Sequence, residues 1–380
     1  MRIVIAPNAF KNSLTASEAA TAIEKGLQQS KLDCETICFP VGDGGDGTAA
    51  LLINHLNGER ITVMVHDPLG RMIESSFGLA DNGKTAIIEM ADASGLRLLK
   101  PEEYDPLHVT TFGTGELIKA ALDKAVKKII ICIGGSATVD AGTGILKALG
   151  AKFFDIHEQE LEHLPGSMKD LFAVNLLGMD KRLFYTELFV LCDVENTLLG
   201  EHGAAKIFGP QKGATKENVQ QLEEGFKRLC NIVYDESGKD MSLIKHGGAA
   251  GGVSAGLHTF LHAKLVNGID HFLDATSFNE QLNNADLVIT GEGSIDTQTL
   301  QGKGPFGVAQ NAKKYNLPVI GIAGRIPMMP DEKLHAYFDI LLPINNEAVE
   351  LSTAMQYTYE NLVRTARSLG DLLAINKAVR

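Results

Sequence analysis

Short apolar runs that stop at proline or glycine and give way to helical periodicity recur at both ends of the chain. "RIVIAP" (2–7) ends at Pro7, and Thr15-x-x-Glu18 forms a capping box that predicts a helix to about residue 29. The run 34–41 and a helix after "VGDGGDGT" (41–48) repeat this unit, as expected at the start of a parallel, helix-covered sheet. From residue 61 the texture changes. "ITVMVHD", "IESSFGLA" and "KTAIIEMA" are three successive strand-like segments with turn residues but no helix between them, so a second domain is expected to begin here. Strand-and-loop units follow at 127–137 and 187–196, with helices expected at 115–126 and 216–233. "ADLVITGEG" (285–293), "LPVIGIAG" (317–324) and "FDILLPI" (338–344) then restore the opening rhythm, and a helix from about 347 to 376 closes the chain. The expected fold is α/β with two domains: a Rossmann-like parallel-sheet domain built from both termini (1–60 plus 280–380), and an inserted mixed α/β domain (61–279). The active site is expected in the cleft between them.

Composition narrows the partners. A chain of 380 residues exceeds what one hydrophobic core usually serves, which agrees with two domains. With 44% hydrophobic and 22% charged residues and 39 glycines, it is a folded protein rich in tight turns. The net charge of −12 argues against a nucleic-acid partner, which needs a dense basic face. No apolar run is long enough to span a membrane, so the expected location is cytoplasmic. Five cysteines, odd in number and mostly within apolar runs, read as reduced thiols; Cys34 and Cys38 lack the second pair that a zinc site needs.

The loops carry the chemistry. "VGDGGDGT" satisfies G-x-G-x-x-G through Gly42, Gly44 and Gly47, with Asp67 about twenty positions on, as in a dinucleotide fingerprint. It follows the second strand instead of the first, however, and it puts Asp43 and Asp46 where a pyrophosphate would touch backbone. "APNAFKNSL" places Asn8, Lys11 and Ser13 between a strand end and a helix start, with Lys11 as an anion clamp; the plainer reading is that Asn8 and Ser13 cap turns. "IGGSATVDAGTG" (133–144) offers glycine N–H groups, hydroxyls and a helix start, a natural phosphate cradle, although no Walker A motif occurs anywhere. Two further segments pair acids with lysines, as phosphoryl transfer requires: Asp193 with Lys212, and Glu292 and Asp296 with Lys303. His258-x-x-x-His262 has metal-ligand spacing but lies in an apolar helical stretch, where packing is expected. No G-x-S-x-G elbow suggests a hydrolase.

Taken together, "IAPNAFKNSLTA", "VGDGGDGT", "DPLGR" (67–71), "IEMADASGL" (88–96), "TTFGTGELI" (110–118), "IGGSATVDAGTG", "FGPQKGA", "GAAGG" (248–252) and "DLVITGEGSID" resemble the bacterial glycerate kinases of the first family, over essentially the whole chain. The resemblance implies ATP- and Mg²⁺-dependent phosphorylation of D-glycerate to a 2- or 3-phosphoglycerate. Mapped onto this chain, it implies catalytic roles for Asp193, Lys11 and Lys212, and substrate contacts from Asn8, Ser13, Asp43, Asp46 and Arg71. It also implies nucleotide contacts from Gly134, Gly135, Ser136, Thr138, Gly142 and Lys303, with Asp296 and Glu292 toward the metal. The chain departs from the family pattern at Val139 and Ala141, where S-A-T-N-D-G-G is usual, and at Asp46, where glutamate is usual. Base and metal-ligand roles stay undivided among Asp43, Asp46, Asp193 and Asp296. The expected partners are D-glycerate and ATP, and a homodimer is compatible with the sequence. Two alternatives stand beside this reading: an NAD-dependent oxidoreductase of a small hydroxy acid, and a non-catalytic sugar-acid sensor on the same fold.

Overall fold

The computed structural model describes residues 1–378 of the chain. Its backbone divides into two compact units, Met1–Asp43 with Ile269–Arg380, and Gly44–Gly268. In chain order, the strands are β1 (Arg2–Ile5), β2 (Glu35–Cys38), β3 (Glu59–His66), β4 (Met72–Ala80), β5 (Thr85–Glu89), β6 (Lys128–Cys132) and β7 (Lys152–Phe154). They continue with β8 (Ala173–Asn175), β9 (Glu187–Cys192), β10 (Lys264–Asn267), β11 (Leu287–Ser294), β12 (Val319–Arg325) and β13 (Ile340–Pro343).

The first unit holds one all-parallel sheet in the order β13-β12-β11-β1-β2. Counted within the unit this is 2-1-3-4-5, the flavodoxin-like variant of the doubly wound sheet, with the strand order reversing between β1 and β11. Such a sheet is covered on both faces, which is why β1 and β11 read as unbroken apolar runs: Ile3, Val4, Ile5, Val288 and Ile289 are fully buried. The capping box forms as the sequence predicts. Thr15 Oγ1 accepts from Glu18 N at 3.2 Å and Glu18 Oε2 accepts from Thr15 N at 2.8 Å, opening the helix Ala16–Gln28. That helix buries Ala19, Ile23 and Leu27 with Leu362, Ala366 and Leu369 of the C-terminal helix Thr358–Ala378. The single closing helix expected from about 347 is instead two, Leu351–Gln356 and Thr358–Ala378, interrupted at Tyr357.

The second unit holds a six-stranded mixed sheet, β10-β9-β6-β5-β4-β3, and a two-stranded ribbon of β7 and β8. β10, β9, β6 and β5 run parallel; β4 and β3 add antiparallel at the edge and are, with β5, the three helix-free strands predicted after residue 61. The helix Thr48–His55 belongs to this unit, and Ile53 lies so close to Gly78 of β4 that a Cβ there would meet it at 2.2 Å. The short edge strand β10 has no counterpart in the sequence reading, because four residues ahead of a helix carry too little periodicity to separate from a loop. His258 Nδ1 donates to the Ala263 carbonyl (2.9 Å) and His262 ends its helix in a left-handed conformation, so the pair serves local structure. None of the five cysteines is in a disulfide. No helix among the described residues is long and apolar enough to cross a membrane.

Gly26 lies where the helices Ala16–Gln28 and Thr358–Ala378 approach closely. A Cβ there would stand 2.4 Å from Val363 O and 2.6 Å from Ala366 Cβ. Gly26→Val should therefore destabilise the protein by about 1–3 kcal/mol through overpacking, read from urea unfolding; an unchanged midpoint would mean the helices can separate freely.

Candidate active site

In open α/β sheets, ligands bind outside the carboxyl ends of the strands where the order reverses. In the first unit that point lies between β1 and β11, and the predicted residues gather there. Asn8 follows β1, and its Nδ2 donates to Asp43 Oδ2 at 2.7 Å. The same oxygen accepts from Gly304 N, at 3.3 Å, at the start of the helix Gly304–Lys314. Glu292, near the carboxyl end of β11, is only 8% exposed and accepts from Thr299 Oγ1 at 2.9 Å. Burial pushes its carboxyl up to about 7; Asp43 and Asp296 add to the rise, while Lys303 and Thr299 oppose it. Lys11 is exposed on the turn after β1, its backbone N beside Gly293. Thus Asn8, Lys11, Asp43, Glu292, Asp296 and Lys303 form one polar group at one end of this sheet. Ser13 takes no part as a donor to a ligand, since its hydroxyl donates to Met355 O at 2.6 Å.

The second unit carries a different set at the ends of β5, β6 and β9. The loop 133–144 leaves β6 and is packed backbone to backbone against the "GDGGD" turn: Gly134 N donates to Gly44 O at 3.0 Å, and a Cβ on Gly134 would stand 2.4 Å from Gly45 Cα. Gly44, the middle glycine of the fingerprint, is thus used for packing backbone against backbone and not for a dinucleotide. Further along, Asp140 is fully buried and accepts from Thr111 N, Thr111 Oγ1, Gly142 N and Gly144 N at 2.8–3.3 Å. Gly142 N–H, expected to meet a phosphate, is therefore bound to an internal carboxylate, and the usable part of the cradle narrows to the stretch around Gly135, Ser136 and Thr138. Thr138 Oγ1 is buried with no partner.

Lys212 is 3% exposed and donates to Ser136 Oγ and Thr138 O, both at 2.7 Å. Burial lowers its ammonium to about 7, opposed by the charge of Asp140. Asp193 stands exposed immediately after β9. Arg71, expected to grip a substrate carboxylate, has its guanidinium committed elsewhere. Its Nε donates to Asp67 at 2.5 Å, its Nη1 to Glu103 at 2.8 Å and its Nη2 to Leu98 O at 3.3 Å, closing the turn between β3 and β4. In this structure the guanidinium, expected to meet a substrate carboxylate, is engaged by two carboxylates of the chain itself.

Two neighbours escaped the sequence reading. Glu89, the last residue of β5, is 4% exposed; Oε2 accepts from Ala49 N at 2.9 Å and Oε1 is buried with no partner. Burial holds its carboxyl well above the usual range, with Asp46 and Asp92 reinforcing the rise. Arg97 pairs with Asp92 and lies 3.9 Å from Asp46, half-exposed. The one available signal was an acid closing the apolar run "TAIIE", a poor place for a charge without a purpose. The candidate set thus divides by unit: Asn8, Lys11, Asp43, Glu292, Asp296 and Lys303 in the first, and Asp46, Gly134, Gly135, Ser136, Thr138, Asp193 and Lys212 in the second. Among the described residues, no group of three or more His, Cys, Asp or Glu side chains is arranged to hold a metal ion by itself.

Acids and lysines on the strand ends of a doubly wound sheet, with a serine-glycine loop backed by a buried lysine and no Walker A motif, define an α/β kinase of small molecules. The chain belongs to the glycerate kinase family, whose model matches residues 3–374. It is 42% identical over 376 residues to the glycerate kinase of Halalkalibacterium halodurans, covering 99% of both chains. It is also 42% identical over 379 residues to the glycerate 2-kinase of Escherichia coli, covering 99% of this chain and 98% of that one. A crystal structure provisionally named glycerate kinase 2 from Salmonella typhimurium LT2 superposes with a TM-score of 0.84 at 41% identity, covering 100% of this chain and 99% of that one.

Glu292 yields a pH prediction. Its folded pKa, about 7, lies above the 4.5 of the free side chain, so its contribution to stability is fully present below pH 4.5 and is lost as pH rises through about 7. In metal-free buffer, Glu292→Gln should be about 3 kcal/mol more stable than wild type at pH 8 and nearly equal to it at pH 4.5, read from denaturant midpoints. A difference that does not vary with pH would remove the buried charge as its cause.

Proposed function

We propose that this kinase transfers the γ-phosphoryl group of ATP to the 2-hydroxyl of D-glycerate. The observation that carries the reading is the group around Glu292 at the reversal point of the first sheet, joined to family membership; the choice of hydroxyl follows the relative named a glycerate 2-kinase. Asn8 and Lys11 would hold the hydroxy acid, Lys11 opposite its carboxylate. Gly135, Ser136 and Thr138 would face the phosphates, with Lys303 as a further cation. Asp193 is the assigned base that accepts the hydroxyl proton as the phosphoryl transfers, because it stands exposed at the end of β9, next to the strand that feeds the 133–144 loop.

The residues present also fit Mg²⁺. Glu292 is a carboxylate made costly to ionise by burial first and by Asp43 and Asp296 after it, and a divalent cation beside it would offset that cost. Mg²⁺ characteristically takes one or two carboxylates and completes its shell with phosphate oxygens and water, so Glu292 and Asp296 suffice as protein ligands without a third. When bound, it supplies charge neutralisation for the phosphates. The chain's own work is to orient the hydroxyl, accept its proton and keep the reacting groups aligned.

The oxidoreductase alternative loses its support at Gly44, the middle glycine of the fingerprint, which packs on Leu191 and accepts from Gly134 N. The product made from ATP, Mg²⁺ and D-glycerate should show a ³¹P doublet, from one proton on the carbon bearing the phosphate. A triplet would move the phosphate to the 3-position, and no phosphorylated product would overturn the kinase reading. Asp193→Asn should lower kcat by roughly two orders of magnitude in a folded protein; turnover near wild type would take the base role away from it.

A further inference from the structure

Lys212 is the most deeply buried cation of the second unit's site, and its contacts are unlike those of a phosphate-binding lysine. It leaves the 3-10 turn Pro210–Lys212, whose successor Gly213 has φ +94° and lies so close to Tyr104 that a Cβ would stand 2.3 Å from Tyr104 O. The turn is thus held in place before the side chain begins. Nζ then reaches the middle of the 133–144 loop, where it donates to Ser136 Oγ and Thr138 O. Other bonds fix the flanks of that loop: Gly134 N to Gly44 O, Ala137 N to Ser94 O, Ala141 N to Gly251 O, and the four donors gathered by Asp140. The charged group facing Lys212 is Asp140, and its polar neighbours are the Ser136 hydroxyl and the Thr138 carbonyl.

The geometry points to Lys212 as a positioning residue that sets the direction of the Ser136 hydroxyl, so that Ser136, and not Lys212, donates to a phosphate of bound ATP. The chemistry follows from donor counting. An ammonium has donors and no acceptor, so Ser136 Oγ must accept from it and the Ser136 O–H points to some other acceptor. A neutral amine has a lone pair and can accept the Ser136 proton, which turns the hydroxyl inward and leaves the phosphate without its donor. Lys212 titrates close to neutrality in this site, so the exchange falls within the working range of pH. The same change leaves the hydroxy-acid contacts in the first unit untouched.

This inference rests on the nucleotide role proposed for the 135–138 stretch, and its test is built to separate the two. Apparent KM for ATP, measured with Mg²⁺ saturating, should rise as pH goes from 6.5 to 8.5 in wild type. In Ser136→Ala it should already be about tenfold higher at pH 6.5 and should show no further rise beyond that intrinsic to ATP itself. Lys212→Met should match Ser136→Ala in KM for ATP, keep KM for D-glycerate within about threefold, and add nothing in the double variant. Hydrogen exchange of the peptide 133–145 without nucleotide should be faster in Lys212→Met than in wild type. A loss of kcat beyond a hundredfold with KM for ATP unchanged would overturn the inference and make Lys212 a catalytic residue. Unchanged exchange together with unchanged KM would overturn it as well. If Lys212→Met does not fold, the comparison of wild type with Ser136→Ala decides: parallel pH profiles refute the inference, and diverging ones support it. Absence of any ATP-dependent product from wild type would instead refute the kinase reading, whatever the exchange data say.

Discussion

Gly134 lies against Gly45 so closely that a Cβ on Gly134 would stand 2.4 Å from Gly45 Cα, and the second unit's site depends on that contact. The turn after Asp43 is pressed from two sides, because a Cβ on Gly44 would also stand 2.8 Å from Leu191 O, near the end of β9. β6, β9 and the "GDGGD" turn therefore end in one layer of packed backbone. Ser136 and Asp46 emerge from that layer on short loops with little freedom to move. The polar backbone groups of the 133–144 loop are spent largely within the protein, on Gly44, Ser94, Gly251 and Asp140. The loop is shaped before any ligand arrives, which is how an enzyme avoids losing binding energy to ordering its own chain.

The first unit reaches the same end by topology. A 2-1-3-4-5 parallel sheet opens a crevice where β1 and β11 diverge in connection, and loops leaving those strands converge there without contacts made for the purpose. What the sequence adds is charge. Asp43 is held by Asn8 and by the start of the helix Gly304–Lys314, whereas Glu292 is buried beside Asp43 and Asp296 with Lys303 as the opposing cation. The energetics of Glu292 are unfavourable for the fold, a common feature of sites kept for chemistry.

Much of this was readable in the sequence, and the failures have a shared cause. The capping box, the β-α rhythm at both ends and the three helix-free strands come from local periodicity and cap chemistry, and the structure bears them out. The division of the closing helix at Tyr357 and the strand β10 lay below what periodicity resolves. Among the cations, sequence alone could not separate Arg71, Arg97 and Lys212, since each sits in a glycine-rich or acidic stretch. Their roles are set by distant partners: Asp67 and Glu103 engage Arg71, Asp92 engages Arg97, and Ser136 and Thr138 enclose Lys212.

The order of motifs along the chain was enough to determine the family and the α/β class, because both are written in short segments whose spacing survives without coordinates. Tertiary structure decided which polar groups remain available. Gly142 and Ser13 turned out to be engaged inside the fold, Glu89 to be buried with an unpaired oxygen, and Asp43 and Asp46, three residues apart, to belong to different units. Hydrogen bonding and burial depend on residues brought from tens or hundreds of positions away, so the chemical state of a side chain cannot be read from its neighbours in sequence.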